Sequence, residues 1–174
     1  MNQLKENMEN ANYFLPQQME IIAKNQSRLD FSRVKRHNVF RHDGIADCKE
    51  NTDLFFYEFK RLRIACRVRF NMTSYDYGDV TIRSALPSGN DTEIDKINAG
   101  WGDYMLYCWE KNGVINEYII IDLEEFRKRQ NDFITVVNKW NFDNSSAFNC
   151  YSLHKILRTP CCIVAELKNV ANSA

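Results

Sequence analysis

Asp43, Glu58 and Lys60 are the residues whose types and spacing point most directly to chemistry. They lie in DGIADCKENTDLFFYEFK, where a short apolar run and a polar turn lead into an aromatic run ending Glu58-Phe59-Lys60. A run rich in Phe and Tyr, bounded by Asn, Thr and Asp, is a hairpin signal. A turn at Asn51 and Thr52 sets Asp43 opposite Lys60 and Ile45 opposite Glu58. Side chains alternate along a strand, so Asp43, Glu58 and Lys60 are expected on one face. Two carboxylates and an ammonium there could hold a hard divalent cation and polarise a water. Asp47 rivals Asp43, since it faces Phe56 and lies no farther from Glu58. Asp43 is preferred because it alone also reaches Lys60.

Phosphodiester cleavage needs two things: neutralised phosphate oxygens and a nucleophile near neutral pH. A bound Mg²⁺ supplies both, takes carboxylate ligands and keeps several waters. Lys60, beside two acids, stays protonated and can stabilise the pentacovalent anion or hold the water. The plainer reading makes Glu58 and Lys60 ordinary exposed residues of an amphipathic strand.

These residues need a scaffold, and the chain reads as one. Residues 1–12 are polar and read as a flexible N-terminal segment, leaving 13–174 as a single domain. Pro16 suits a first helical turn, and Gln17 to Leu29 can form a helix with Met19, Ile22 and Ala23 on one side. A basic connector carries Arg33, Lys35, Arg36, His37, Arg41 and His42 into the hairpin. RLRIACRVRF alternates basic and apolar residues, so it continues the strand or begins another with one wet, positive face. Asp79 to Arg83 is a short strand, and Leu86 to Gly100 has the composition of an exposed loop.

Tyr104 to Trp109 and Val114 to Ile121 form a second hairpin across EKNG, an Asn-Gly turn. Asp122 caps a helix from Leu123 to about Gln130, with Glu124 and Glu125 in its first turn. A polar loop, NFDNSSAFN, then leads to a short helix near Leu153 and a last strand from Cys162 to Leu167. This order predicts an α+β or α/β domain built round one central mixed β-sheet flanked by helices.

A leading helix with an acid, then an Asp, a hairpin and Glu-x-Lys resembles the PD-(D/E)XK superfamily, the restriction-endonuclease-like nucleases. The matching residues are Glu20, Asp43, Glu58 and Lys60, and the resemblance spans roughly 15–122. VTIRS, GDYMLYCW and YIIIDLEEFR are similar to later strand–loop–strand–helix segments of some of these nucleases. His42 stands where the family name specifies Pro. The resemblance implies Mg²⁺ (or Mn²⁺) held by Asp43 and Glu58, with the attacking water oriented by Lys60 and metal binding assisted by Glu20. It also implies hydrolysis of DNA phosphodiester bonds. Lys35, Arg36, Arg41, Arg61 and Arg63 flank the proposed site and are expected to contact phosphates without reading sequence.

Bulk properties narrow the classes. The 174 residues, 44% hydrophobic and 13% aromatic, suit one globular domain with a real core. Formal net charge is zero, so any basic surface is local. No apolar run approaches a membrane span and the polar N-terminus is no signal peptide, so a cytoplasmic location is expected. The six cysteines form no CxxC pair and read as reduced buried thiols. His37, His42 and His154 lack metal-ligand spacing, and no P-loop or nucleophile-elbow motif occurs. Small size points to a homodimer, joined through a sheet edge or an aromatic surface, if both DNA strands are cut. The alternative reading is an inactive nuclease-fold protein, of viral or mobile-element origin, that binds a host protein or covers nucleic acid.

Overall fold

Two central strands, β4 (Tyr104–Lys111) and β5 (Val114–Asp122), are buried along almost their whole length. Strands apolar on both sides must be covered on both faces. A computed structural model, describing residues 2–30, 54–58 and 60–168, shows how this is done. The other strands are β1 (Leu54–Glu58), β2 (Lys60–Arg69), β3 (Asp79–Ala85), β6 (Ile134–Trp140), β7 (Ala147–Ser152) and β8 (Cys162–Glu166). They form a five-stranded sheet ordered β1-β2-β4-β5-β8 and a three-stranded sheet ordered β3-β7-β6. In the larger sheet β2 runs parallel to β4 and the other pairings are antiparallel, so it is mixed; the single sheet expected from the sequence is instead two, because β3, β7 and β6 pair only with one another.

Alternation sorts the larger sheet into two cores. Leu62, Ile64, Tyr104, Leu106, Cys108, Tyr118, Ile120 and Val164 form one, together with Ile22 of helix α1 (Asn2–Lys24) and Leu29 beyond it. Ala65, Met105, Tyr107, Trp109, Ile119 and Ile121 point the other way, toward Val80, Ile82 and Tyr151 of the smaller sheet. Four short helices complete that second layer: α2 (Ser74–Tyr77), α3 (Glu93–Asn98), α4 (Leu123–Phe133) and α5 (Leu153–Leu157). Ile97, Phe126 and Ile156 of these helices are fully buried in it. The result is a mixed α+β fold: a helix, a mixed sheet, then a smaller sheet with helices. Among the described residues no helix is long and apolar enough to cross a membrane.

Local signals explain most elements. Asn112 and Gly113, both at positive φ (59° and 79°), make the predicted Asn-Gly turn between β4 and β5. The Asp122 carboxylate caps α4 by accepting from Glu124 and Glu125 N–H. Near the β4–β5 turn two buried carboxylates tie down the preceding loop. Glu110 accepts from the N–H of Asn71 and Gly113, and Glu117 from Ser74 N–H, the Ser74 hydroxyl and Lys168 N–H.

Several expectations are corrected. Helix α1 starts at Asn2 rather than near Pro16, and Pro16 sits inside it. The polar N-terminal residues include good helix formers (Leu4, Lys5, Glu6, Met8), and an interior proline removes only one ladder hydrogen bond when its neighbours hold the helix. Residues 86–100 are not all loop: Thr92 and Asp95 form a reciprocal capping box that starts α3. Strand β6 falls in a stretch to which the sequence assigns no element, and the first half of β7 falls in the stretch expected to be loop. Glu58 and Lys60 do not share a strand, because the chain reverses between β1 and β2 and makes them cross-strand partners.

Candidate functional site

Lys60 and Glu58 meet at the far end of the β1–β2 ribbon, where their Cα atoms are paired. The pairing of β2 with β4 begins only at Ile64–Tyr104, so residues 60–63 carry the ribbon past the start of β4. At the usual rise per strand residue this overhang is about 13 Å. Tyr104 marks its base. Its hydroxyl accepts from the Asp30 N–H at 2.9 Å, and its register partner Ile64 is in turn paired with Leu54. The chain leaves the described fold at Asp30, bonded to the Tyr104 hydroxyl, and returns at Leu54, two strands from Tyr104 in the same register row. Asp43, its rival Asp47, and Lys35, Arg36 and Arg41 lie between these anchors, outside the described residues.

Beside the ribbon base stands a tight ionic knot. Asp103 Oδ2 accepts from Arg63 N–H at 2.8 Å and from Arg63 Nε at 3.3 Å, and Oδ1 accepts from Arg63 Nη2 at 2.9 Å. The Asp103 N–H returns a bond to Arg63 O at 2.8 Å. The Arg63 guanidinium also lies 5.8 Å from the Trp101 ring centroid and donates to Gly100 O. Gly100 and Gly102 both hold positive φ, which lets this loop turn back onto β2. At Gly102 any Cβ would meet Leu123 Cδ1 at 2.8 Å. Arg63, expected to face phosphate, is thus committed to Asp103, with a side chain only 12% exposed.

The rest of the basic strand behaves in the same way. Arg67 pairs with Glu93 of α3, and Arg69 pairs with Asp79 of β3 at 2.7 Å while lying 5.3 Å from the Tyr77 ring centroid. The positive face expected to be wet is instead met by acids at Arg63, Arg67 and Arg69, drawn from the loop before β4, from α3 and from β3. Tyr107 joins this seam, its hydroxyl accepting from Thr81 N–H at 3.0 Å on the outer edge of β3. Burial holds that phenol above its ordinary pKa.

Glu20 is not brought to the ribbon. It is exposed on α1, one turn before Lys24, which pairs with Glu166 of β8 at 2.5 Å. Strand β8 is at the opposite edge of the sheet from β1. Four strand spacings separate those edges, about 19 Å. Lys24 draws Glu166 below the usual carboxylate range and is itself raised. Arg61 lies in β2 as the register partner of Tyr57.

Among the described residues no group of three or more His, Cys, Asp or Glu side chains could hold a metal ion. Burial pushes the Cys108 thiol up to about 12, and Cys150 and Cys162 up to about 11, so these are unreactive packing groups. Sequence reasoning missed the acids that answer the arginines: Asp79, Glu93 and Asp103. Only the T-x-x-D capping signal at Thr92–Asp95 pointed to order near Glu93. No family model matches the sequence, and no curated protein matches it.

Proposed function

We propose that this chain is a metal-dependent nuclease that hydrolyses DNA phosphodiester bonds in the cytoplasm, on a restriction-endonuclease-like mixed sheet. One observation carries the reading: Glu58 and Lys60 are cross-strand partners on a ribbon, and the segment containing Asp43 runs from Asp30, bonded to Tyr104 of β4, to Leu54 of that ribbon. An Asp and a Glu supply hard oxygen donors of the kind Mg²⁺ takes while retaining waters, so the donor set fits the ion. Asp43 and Glu58 would hold it. When bound, the metal supplies charge neutralisation at phosphate and a more acidic water. Lys60 orients that water or steadies the developing negative charge. Lys35, Arg36, Arg41 and Arg61 are the proposed phosphate contacts. Arg63 organises the ribbon base instead, and Glu20 has no part in the site.

Glu58→Ala tests the assignment. Mg²⁺- or Mn²⁺-dependent cleavage of plasmid and linear duplex should disappear, with an unchanged circular dichroism spectrum. Persistent cleavage by that variant rejects the proposal.

Exposed aromatic residues favour a second reading, an inactive scaffold that binds a protein. Tyr13, Tyr75 and Tyr77 are 62%, 77% and 65% exposed, and Phe142 stands fully in solvent between β6 and β7. Aromatic residues are enriched at protein interfaces. A thermal shift separates the two readings: Mn²⁺ should raise the melting temperature of a metal-binding nuclease and leave an inert scaffold unchanged.

A further inference from the structure

Exposed aromatic and apolar side chains gather at the β4–β5 turn, the end of the molecule away from Lys60. Val114 follows the turn, and Phe70 follows β2 where its neighbour β4 reaches that turn; both are exposed. Tyr13 of α1 is exposed beside them, and a Cβ at Gly113 would meet its hydroxyl at 3.4 Å. Gln17 fixes α1 to the turn, donating to Gly113 O at 3.3 Å and accepting from Ile115 N–H at 2.9 Å. Phe14, one residue after Tyr13, is buried with its ring centroid 5.6 Å from that of Phe70. Exposed Tyr75 and Tyr77 follow on α2, which Glu117 holds to β5 through Ser74. A patch of this composition on a folded domain marks a docking surface.

Helix α1 supplies the argument for what docks there. It does not stop at this collar: residues 2–12 carry it about 17 Å farther at the usual rise. Within 2–12 the apolar residues are Leu4, Met8 and Ala11, and every other position is Asn, Gln, Lys or Glu. Spacings of four and three give two apolar positions in seven, the narrow seam of a coiled coil rather than the broad stripe of a helix on a core. Its asparagines are weak helix formers, so this half of α1 gains from packing. A narrow seam is filled by a helix with a matching seam, and another copy of α1 has one.

We propose that a second copy of this chain docks here, the N-terminal halves of two α1 helices pairing antiparallel with each tip laid over the other copy's collar. Leu4 of one copy then lies against Ala11 of the other, large against small, with the two Met8 side chains at the centre. The contact is isologous and closes at two copies. The antiparallel sense covers seam and collar together, which a parallel pairing does not. Formal net charge is zero, so no net repulsion opposes the approach of two copies. The collar is at the opposite end of β2 from Lys60, so this dimer leaves both ribbon ends free.

The test is sedimentation velocity on the full chain, which should show a monomer–dimer equilibrium between about 1 and 100 µM. Met8→Glu sets two like charges at the centre of the seam and should raise the dissociation constant about 100-fold or more. Tyr13→Ser, on the collar, should raise it roughly tenfold. Val137→Glu, on exposed β6, should leave it unchanged. A wild-type chain that stays monomeric across the range overturns the proposal and leaves the collar to a different protein. So does a dimer that keeps wild-type strength in Met8→Glu or in Tyr13→Ser, a dimer that Val137→Glu dissolves, or a ladder of larger species. The measurement uses neither metal nor DNA, so its outcome is independent of the nuclease reading.

Discussion

The β4–β5 turn and the β2–β3 seam both bury charge, and they balance it by opposite means. At the turn, Glu110 and Glu117 are 4% and 2% exposed, and the partners they hold are N–H and hydroxyl donors of nearby segments. Every donor there is neutral, and each carboxylate closes a local gap in the backbone. At the seam, guanidiniums from one strand meet carboxylates from three distant parts of the chain. Matching by full charges draws together parts of the chain far apart in sequence, whereas matching by N–H groups stays nearer the turn. The turn is held by neutral donors, and the seam by ion pairs between separate elements.

The sharpest way to break this contrast is Glu117→Ala. It orphans the Ser74 N–H and hydroxyl and the Lys168 N–H together, so the cost should be about 3 kcal/mol or more in urea unfolding. A loss below about 1 kcal/mol would mean that water replaces the carboxylate and that the turn is not a closed unit.

A smaller effect concerns neither region but sets the baseline for both. The Cys108 thiol is ordinarily near 9.0 and is pushed up to about 12 by burial. Above the unfolded value the unfolded chain binds fewer protons than the native one, so stability falls as pH rises from about 9 toward 12. The expected slope from this group is about 1.4 kcal/mol per pH unit. A flat profile of the unfolding midpoint from pH 8 to 11 would contradict it.

The smallest effect lies within the seam. Tyr107→Phe removes the acceptor for Thr81 N–H while leaving the ring in its core position, and should cost about 1 kcal/mol. A much larger loss would show that the seam, like the turn, depends on one local polar group.

Legibility in the sequence followed the range of the interactions. The β4–β5 hairpin, the Asp122-capped helix, the helix near Leu153 and the final strand were readable because their signals lie within a few residues. The α+β class was readable from their order, but the division of the strands into two sheets was not. Strand β6 was not, since it is exposed on both sides after Ile134 and shows no alternation. The periodicity of RLRIACRVRF correctly gave a strand, but it could not say what the arginines face. A pattern within one strand looks the same whether its polar side meets solvent or acids drawn from elsewhere in the chain. The proposed metal ligands were limited in the same way. Glu58 and Lys60 were found as neighbours in sequence, whereas their pairing across a reversal depends on partners up to Ile64.

The parallel neighbours β2 and β4 also bear on how the molecule assembles. Antiparallel β4 and β5 can zip from their two-residue turn, but β4 can join β2 only after everything from Phe70 to Asp103 has been looped out. Closing that loop is an entropic toll met before any inter-strand contact rewards it. Refolding should therefore be gated by docking of the β1–β2 ribbon onto a preformed hairpin, with the parallel junction acquiring hydrogen-exchange protection last.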